Sequence, residues 1–278
     1  MNRFGYLFLI IVLFSHGLFS QESKEVLRNL AQEAGHSSCE VRLIQLSENR
    51  HYVIRYGLTR NKLCPLEVLR KLCQDPYTVV RYGVACHPRA DYGILECLSH
   101  DPSEKVRQRV AAHPNTESCI LTYLSQDKDD YVRITVACNP KTLPEILEKL
   151  SYDKRPVVRW CVASNPSTDL SVVLRLSRDR NYYVRETVAR LSRVDVYCLQ
   201  RLAGDQNKYV REEVAQNPNT PLYLLEKLER DFFVRVRLAV ARHPRSSREI
   251  LTRLSKDSHP YVRNAAQKRL EFFLKEQS

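Results

Sequence analysis

Asp101-Pro-Ser-Glu-Lys-Val-Arg107 leads through Val110-Ala111-Ala112-His113-Pro114-Asn115-Thr116 to Ile120-Leu121 and Leu124, and this stretch decides the fold because it recurs. An Arg preceded by an aliphatic residue falls at Arg55, Arg81, Arg107, Arg133, Arg159, Arg185, Arg211, Arg237 and Arg263, each step 26 residues without insertion or deletion. Asp75, Asp101, Asp127, Asp153, Asp179, Asp205, Asp231 and Asp257 stand six residues before eight of those Args, and Asn49 takes the place in the first copy. A fixed period of this length identifies a solenoid, in which each module packs only on its neighbours.

Each module holds two short helices by pattern. The first carries apolar residues just before the Arg and three and four after it, as in Val106, Val110 and Ala111 or Val132, Val136 and Ala137. That spacing is one helical stripe. Ser103, Asp129, Asn181 and Asn207, four residues before the Arg, are the expected N-caps. Pro156 and Pro260 fall one place later, at the first helical position, where a missing N–H costs nothing. A proline then stops the helix at Pro88, Pro114, Pro140, Pro166, Pro218 and Pro244, because proline disfavours helical backbone in the residue before it. That residue is His87, His113, Asn139, Asn165, Asn217 or His243, whose side chains can bond freed backbone groups at the corner. Thr116, Thr142, Thr168 and Thr220 are expected to cap the second helix, with Thr142 and Glu145 as a capping box and Pro221 at the first helical position. The second helix buries sets such as Ile120-Leu121 with Leu124 and Leu224-Leu225 with Leu228.

The pattern Asp-x5-Arg-x2-Val-Ala-x-Asn-Pro-x-Thr-x4-Leu-x2-Leu, best kept around Asn139-Pro140, Asn165-Pro166 and Asn217-Pro218, resembles the leucine-rich repeat variant and, more distantly, HEAT-like repeats. The resemblance covers about four fifths of the chain. It implies an all-α, right-handed superhelical solenoid of 26-residue two-helix repeats, with some helices 3₁₀ and no β-sheet. One described kind of member carries an N-terminal iron–sulfur cluster on clustered Cys. Cys39 stands alone at this N-terminus, so no cofactor is carried over. The copy from Asp179 has Leu191-Ser192 where Asn-Pro is expected, which predicts an irregularity there.

The chain then divides into a signal peptide at 1–20, N-terminal cap helices at 21–48, eight repeats at 49–256, and a partial repeat with a capping helix at 257–278. In the first twenty residues, a short polar start (Asn2, Arg3) precedes a nearly continuous apolar run from Phe4 to Phe14, then Ser15-His16-Gly17-Leu18-Phe19-Ser20. That layout is a secretory signal, too short to span a bilayer comfortably. An uncleaved anchor is the alternative. The expected localisation is exported: periplasmic, cell-surface or secreted. Glu22 to Gln32 reads as a helix broken by Gly35, and Val41 to Leu46 as the second half of a degenerate repeat. Leu270, Phe272, Phe273 and Leu274 form the closing helix.

Nine Cys in an exported chain raise the question of disulfides, with one thiol left over. Cys86 and Cys138 share a repeat position two modules apart, and stacked helices lie about 8–10 Å apart. A disulfide needs Cα atoms within about 7 Å, so this pair cannot bridge. Cys39 with Cys64 and Cys73 with Cys97 lie in adjacent modules, and neither is assigned as a bridge. No Cys-x-x-Cys occurs, and His87, His113 and His243 stand where other copies carry Asn, so no metal is expected.

The formal charge is +12, yet the Arg and Asp ladders nearly cancel, nine against eight. From Asp231 to Ser278 there are eleven Lys and Arg against five Asp and Glu, so much of the excess lies at the C-terminal end. Such an end attracts phosphates, anionic lipid heads or an acidic protein, or is a solvated helical face. Nine stacked guanidinium groups could grip a polyanion. An Asp in every copy at fixed spacing favours a structural pairing instead, each Arg meeting the Asp of its own or a neighbouring module. Tyr131, Tyr183, Tyr209 and Tyr261 share a position two before the Arg and read as packing between layers. Trp160 stands where other copies place Glu186, Glu212 or Gln108, which implies exposure. No paired carboxylates, nucleophile elbow, phosphate-cradling Gly loop or His-Glu-x-x-His appears.

The expectation is therefore a non-enzymatic scaffold that binds a protein partner, with Trp160, Arg235, Arg242, Arg245 and Arg248 as candidate partner-binding residues. Nucleic-acid binding is the first alternative, and binding of anionic lipid or polysaccharide through the basic C-terminal end the second. No small-molecule substrate is expected.

Overall fold

The computed structural model describes residues 21–275, and these hold nineteen α-helices and no strand. The chain divides into two compact units at Val136, inside the helix Asp130–Cys138. No described helix is long and apolar enough to cross a membrane. The proposed signal segment lies outside the described residues.

In the first unit, α1 (Gln21–His36), α3 (Tyr52–Leu58), α5 (Thr78–Ala85) and α7 (Glu104–Ala112) pack in sequence as one layer. The second layer is α2 (Glu40–Ser47), α4 (Leu66–Leu72), α6 (Tyr92–Ser99) and α8 (Ser118–Leu124). Helix α1 thus takes the place of a first helix in a degenerate module. It runs through Gly35 to His36, so that glycine does not break it. Helix α9 (Asp130–Cys138) and α10 (Pro144–Leu150) complete the middle module. In the second unit the first helices are α11 (Pro156–Ser164), α13 (Tyr182–Arg190), α15 (Lys208–Gln216), α17 (Val234–Arg242) and α19 (Pro260–Lys275), each on the next. Their second helices are α12 (Leu170–Leu176), α14 (Val196–Leu202), α16 (Leu222–Leu228) and α18 (Arg248–Leu254). The last module's helix is continuous through its 16 residues, not a partial repeat followed by a separate cap. The seven-residue second helices are α-helical, and none of the described elements is a 3₁₀ helix.

The core follows the stripes. Val106, Val110 and Ala111 of a first helix and Leu121 and Leu124 of a second are fully out of solvent, as are their counterparts Val158, Val162, Ala163 and Val173. Helices this short are marginal alone, so burial of these faces between modules carries their stability.

The corners turn without any residue of positive φ among those described. His113 (φ −74°, ψ 136°) and Asn165 (φ −71°, ψ 127°) are extended, as a residue before proline prefers. Leu191 precedes Ser192 instead, yet has the same backbone (φ −69°, ψ 127°). The predicted irregularity is absent. Proline therefore assists the corner but does not create it.

The threonines after the corner do a different job from the one expected. Thr116, Thr168 and Thr220 are buried and donate to the Val110, Val162 and Val214 carbonyls at 2.5, 2.6 and 2.5 Å. They close the end of the first helix, where carbonyls lack helical partners. The second helices begin later, with N-caps at Glu117, Asp169 and Pro221, so Pro221 sits one place before the helix. Thr142 is likewise buried, and Leu143 and Pro144 stand at the N-cap and first turn, which leaves no capping box.

Adjacent first helices also fit by size. Thr59 stands where later copies carry Ala85, Ala111, Ala137 and Ala163, and Gly83 faces it from the next module. A Cβ on Gly83 would fall 2.8 Å from the Thr59 Cβ and closer still to its hydroxyl. Gly83→Ala gains about 0.5–1 kcal/mol of helix propensity but loses about 1–3 kcal/mol to overpacking. The expected result is a lower urea midpoint for Gly83→Ala alone, and an unchanged or higher one when Thr59→Ala is already present. A double-mutant cycle in urea measures both.

Candidate functional site

Three hydrogen-bonded ladders join successive modules. The first is made by the repeated Arg and Asp. Arg107 donates from Nε and Nη2 to both carboxylate oxygens of Asp127 at 2.6 and 2.9 Å, and from Nη1 to the Asp101 carbonyl at 2.7 Å. Arg159 treats Asp179 and the Asp153 carbonyl the same way, and Arg185, Arg211 and Arg237 repeat it on Asp205, Asp231 and Asp257. Arg55 and Arg81 do so with Asp75 and Asp101. The carboxylate thus comes from the following module, and the Arg's own Asp contributes its backbone carbonyl. Arg133 donates to the Asp127 and Lys128 carbonyls. Each Asp also accepts the N–H two residues on, as Asp179 does from Asn181, and so sets up the N-terminus of the first helix. There Asn181, Asn207 and Asp129 cap through their side chains, while Ser103 does not.

Burial pushes the Asp127, Asp179, Asp205 and Asp257 carboxyls up. The Arg hydrogen bond, the backbone N–H and the Arg charge outweigh it and leave them below the ordinary carboxylate value of 3.8.

The second ladder runs through the corners. His113 Nε2 meets the His87 carbonyl at 3.0 Å, and His87 Nε2 meets the Asn61 carbonyl at 2.9 Å. Asn165 and Asn217 donate to the Asn139 and Leu191 carbonyls at 2.9 and 3.0 Å. Leu191 has no polar side chain for this role. Arg193 supplies it instead, reaching the Asn165 carbonyl at 3.1 Å. Since a carbonyl only accepts and Nδ1 of His87 takes the Arg89 N–H, the proton of the neutral ring sits on Nε2. Burial holds His87 and His243 below the usual imidazole value of 6.5, against the opposing effect of the bonded carbonyl.

The third ladder was not visible in the sequence as read. A donor near the end of a second helix reaches a side chain 24 residues earlier. Arg175 donates to Ser151 Oγ at 2.8 Å and lies 3.9 Å from the Tyr152 ring centroid; Arg253 donates to Glu229 at 2.8 Å, and Arg201 to Ser177.

A groove of about 480 Å³ between α15 and α17 is lined by Glu212, Gln216, Arg235, Leu238 and Arg242. Arg235 pairs with Glu212 at 2.9 Å, and Arg190 bridges Glu186 and Glu213 at 3.1 and 2.8 Å. Burial and the nearby Glu213 charge raise Glu186 despite Arg190. The structure thus brings Arg235 and Arg242 together. Arg245 lies exposed on the adjoining corner, its N–H on His243 Nδ1, and Arg248 opens α18. Trp160 is on α11 of the same first-helix layer and 42% exposed. Glu212, at the equivalent position, is buried, so a polar residue there does not mark the position as exposed.

Tyr209 packs between layers, beside Tyr182 and Arg235 of the neighbouring modules, and the other tyrosines at its repeat position do not. Tyr131, Tyr183 and Tyr261 are 61%, 57% and 69% exposed. In the second unit further aromatics accompany them. Tyr182 stacks near Tyr183 and Tyr209 at 4.1 and 6.2 Å, and Arg235 lies 5.9 Å from the Tyr209 centroid. Phe232, 88% exposed, meets Phe233 edge-on at 5.5 Å. Neither Phe was singled out in the sequence, where a non-recurring aromatic gives no signal of exposure.

This is a helical repeat protein whose modules are joined by internal polar ladders. A profile of the family described as "Leucine rich repeat variant" matches residues 234–259. The solved structure titled "A leucine-rich repeat variant with a novel repetitive protein structural motif" is 28% identical, with a TM-score of 0.65, over 80% of this chain and 88% of that one. The chain is a helical repeat solenoid, similar in fold to that leucine-rich repeat variant. A crystal structure of an engineered protein also aligns over 98% of both chains, at 15% identity and a TM-score of 0.40. No curated protein matches the chain.

Asp179→Asn keeps the acceptor for the Asn181 N–H but leaves Arg159 without a charge partner in a nearly closed site. Unfolding of this variant is expected about 3 kcal/mol easier than for the wild type, read by urea titration. Acid should act in two stages. The histidines have folded values below 6.5, so the unfolded chain takes protons first and stability falls as pH drops below 6.5. The aspartates have folded values below 3.8, so their contribution persists above that pH and is lost as pH falls through the lower folded values. Urea midpoints from pH 7.5 to 3 should show both steps, and His87→Asn with His243→Asn should flatten only the upper one.

Proposed function

We propose that the chain is an exported, non-enzymatic scaffold that takes a protein partner on the first-helix face of its C-terminal unit. The observation that carries this reading is the exposure of Tyr183, Phe232 and Trp160 on the first-helix layer, where Arg235 also lies over the Tyr209 ring. Exposed aromatics next to Arg are the composition of protein-binding hot spots, and a large apolar side chain left in water marks an interaction surface. Export is supported by the order of charge, apolar run and small residues in the first twenty positions.

The nucleic-acid reading loses its main support. The guanidinium groups counted for it donate to carboxylates and carbonyls inside the stack, as Arg107 and Arg159 do, and are not free for phosphates. The anionic-surface reading keeps Arg242, Arg245 and Arg248, which are exposed.

Affinity capture from cell-envelope extract tests the proposal. The wild-type chain should retain a protein that Trp160→Ala and Phe232→Ala each recover about tenfold less well, a loss of about 1.4 kcal/mol, with helical circular dichroism unchanged. The chain in that fraction should begin near Gln21. Recovery unaffected by both variants, or tight duplex-DNA binding that persists as salt rises, would overturn it.

A further inference from the structure

The third ladder has one member made of different chemistry. At the paired positions 24 residues apart, other modules place Ser151 with Arg175, Ser177 with Arg201 and Glu229 with Arg253. In one module both members change together, to Cys73 and Cys97, and their Sγ atoms lie 3.1 Å apart. Cys73 keeps the local role of the serine it replaces: its thiol reaches the Arg70 carbonyl at 2.9 Å, as Ser99 Oγ reaches Glu96 at 2.7 Å. Cys73 caps the end of α4, and Cys97 lies in the last turn of α6, which packs beside it.

We propose that Cys73 and Cys97 form a disulfide that staples these two neighbouring modules. A disulfide bond is about 2.05 Å long, so closure asks for a shift of about 1 Å from the thiol positions. Cys73 is buried and Cys97 half-buried, which fixes the order of events. Burial pushes the Cys73 thiol up to about 12, so Cys97 is the entry point. The oxidant is an external disulfide, a small-molecule one or that of a thiol–disulfide oxidoreductase. The Cys97 thiolate attacks one of its sulfurs and expels the first thiolate. Cys73 then gives up its proton and attacks the Cys97 sulfur, expelling the second. Two protein thiols and one disulfide become one protein disulfide and two free thiols, so two electrons pass to the reagent.

The bond replaces a hydrogen bond that other modules make with a charged side chain, at a place where neither Cys has one. It closes a short loop, which restricts the unfolded chain and the sliding of α6 over α4. The proposal depends on neither the partner nor the destination of the chain.

The full chain, equilibrated with excess oxidised glutathione, is quenched with acid, unfolded, alkylated and digested with trypsin without reduction. Mass spectrometry should find residues 72–81 joined to residues 90–105 in most of the protein, and not after dithiothreitol. Cys73→Ser, which restores the residue of the neighbouring modules, should abolish the joined peptide and leave Cys97 alkylated or glutathionylated. Free, alkylated Cys73 and Cys97 in the oxidised wild type, or linkage of either to a third cysteine, would overturn the proposal.

Discussion

Within each unit one guanidinium closes a module onto the next, and the rest of the stack is arranged around that contact. Arg159 holds the Asp179 carboxylate with two parallel bonds and the Asp153 carbonyl with a third, so one side chain ties together two successive inter-module loops. The fork of donors suits a carboxylate in a way that a lysine could not match. Desolvating such a pair is costly, and its net contribution comes from geometry and from the further bonds each partner makes. Asp179 has those: its second role, accepting the Asn181 N–H, starts helix α13. The same carboxylate therefore fixes the spacing between modules and the point at which the next helix begins.

The corner ladder shows that the stack satisfies backbone groups by position rather than by residue type. Histidine at 87 and 113 and asparagine at 165 and 217 reach the same carbonyl of the preceding module. When Leu191 breaks the series, Arg193 arrives from two residues on and takes the vacant carbonyl, with further bonds to those of Pro166 and Thr168. A buried carbonyl left alone would cost about 1–3 kcal/mol, so the substitution of one donor by another is what keeps the corner regular.

The period made the helices, the stripes and the Asp–Arg partnership legible, because each depends on spacing within a module. What it could not give was register between modules. Arg107 stands six residues after one Asp and twenty before another, and a sequence that repeats every 26 residues contains both distances equally. Thr116 posed the same ambiguity: two residues past a corner proline, its hydroxyl can serve the helix before it or the one after. The hydroxyl serves the earlier helix, adding a second bond to a Val110 carbonyl that already accepts the His113 N–H. The link between Ser151 and Arg175 was hidden for another reason: Ser recurs at its position, but the partner position varies among Lys, Tyr, Cys and Arg.

That variation bears on where function resides. A residue repeated in every module is held by contacts that every module shares, and its side chain points into the stack. Arg107 and Asp101 are buried for this reason. Positions free of those contacts drift, and two residues before the Arg the series runs Val79, Lys105, Tyr131, Val157, Tyr183, Tyr209, Arg235 and Tyr261. Most of the aromatics gather toward the C-terminal modules, where Phe232 and Phe233 add to them and Phe233 also lies over the ladder residue Arg211. Phe232 in particular is left in water, and the proposed binding surface rests on that exposure.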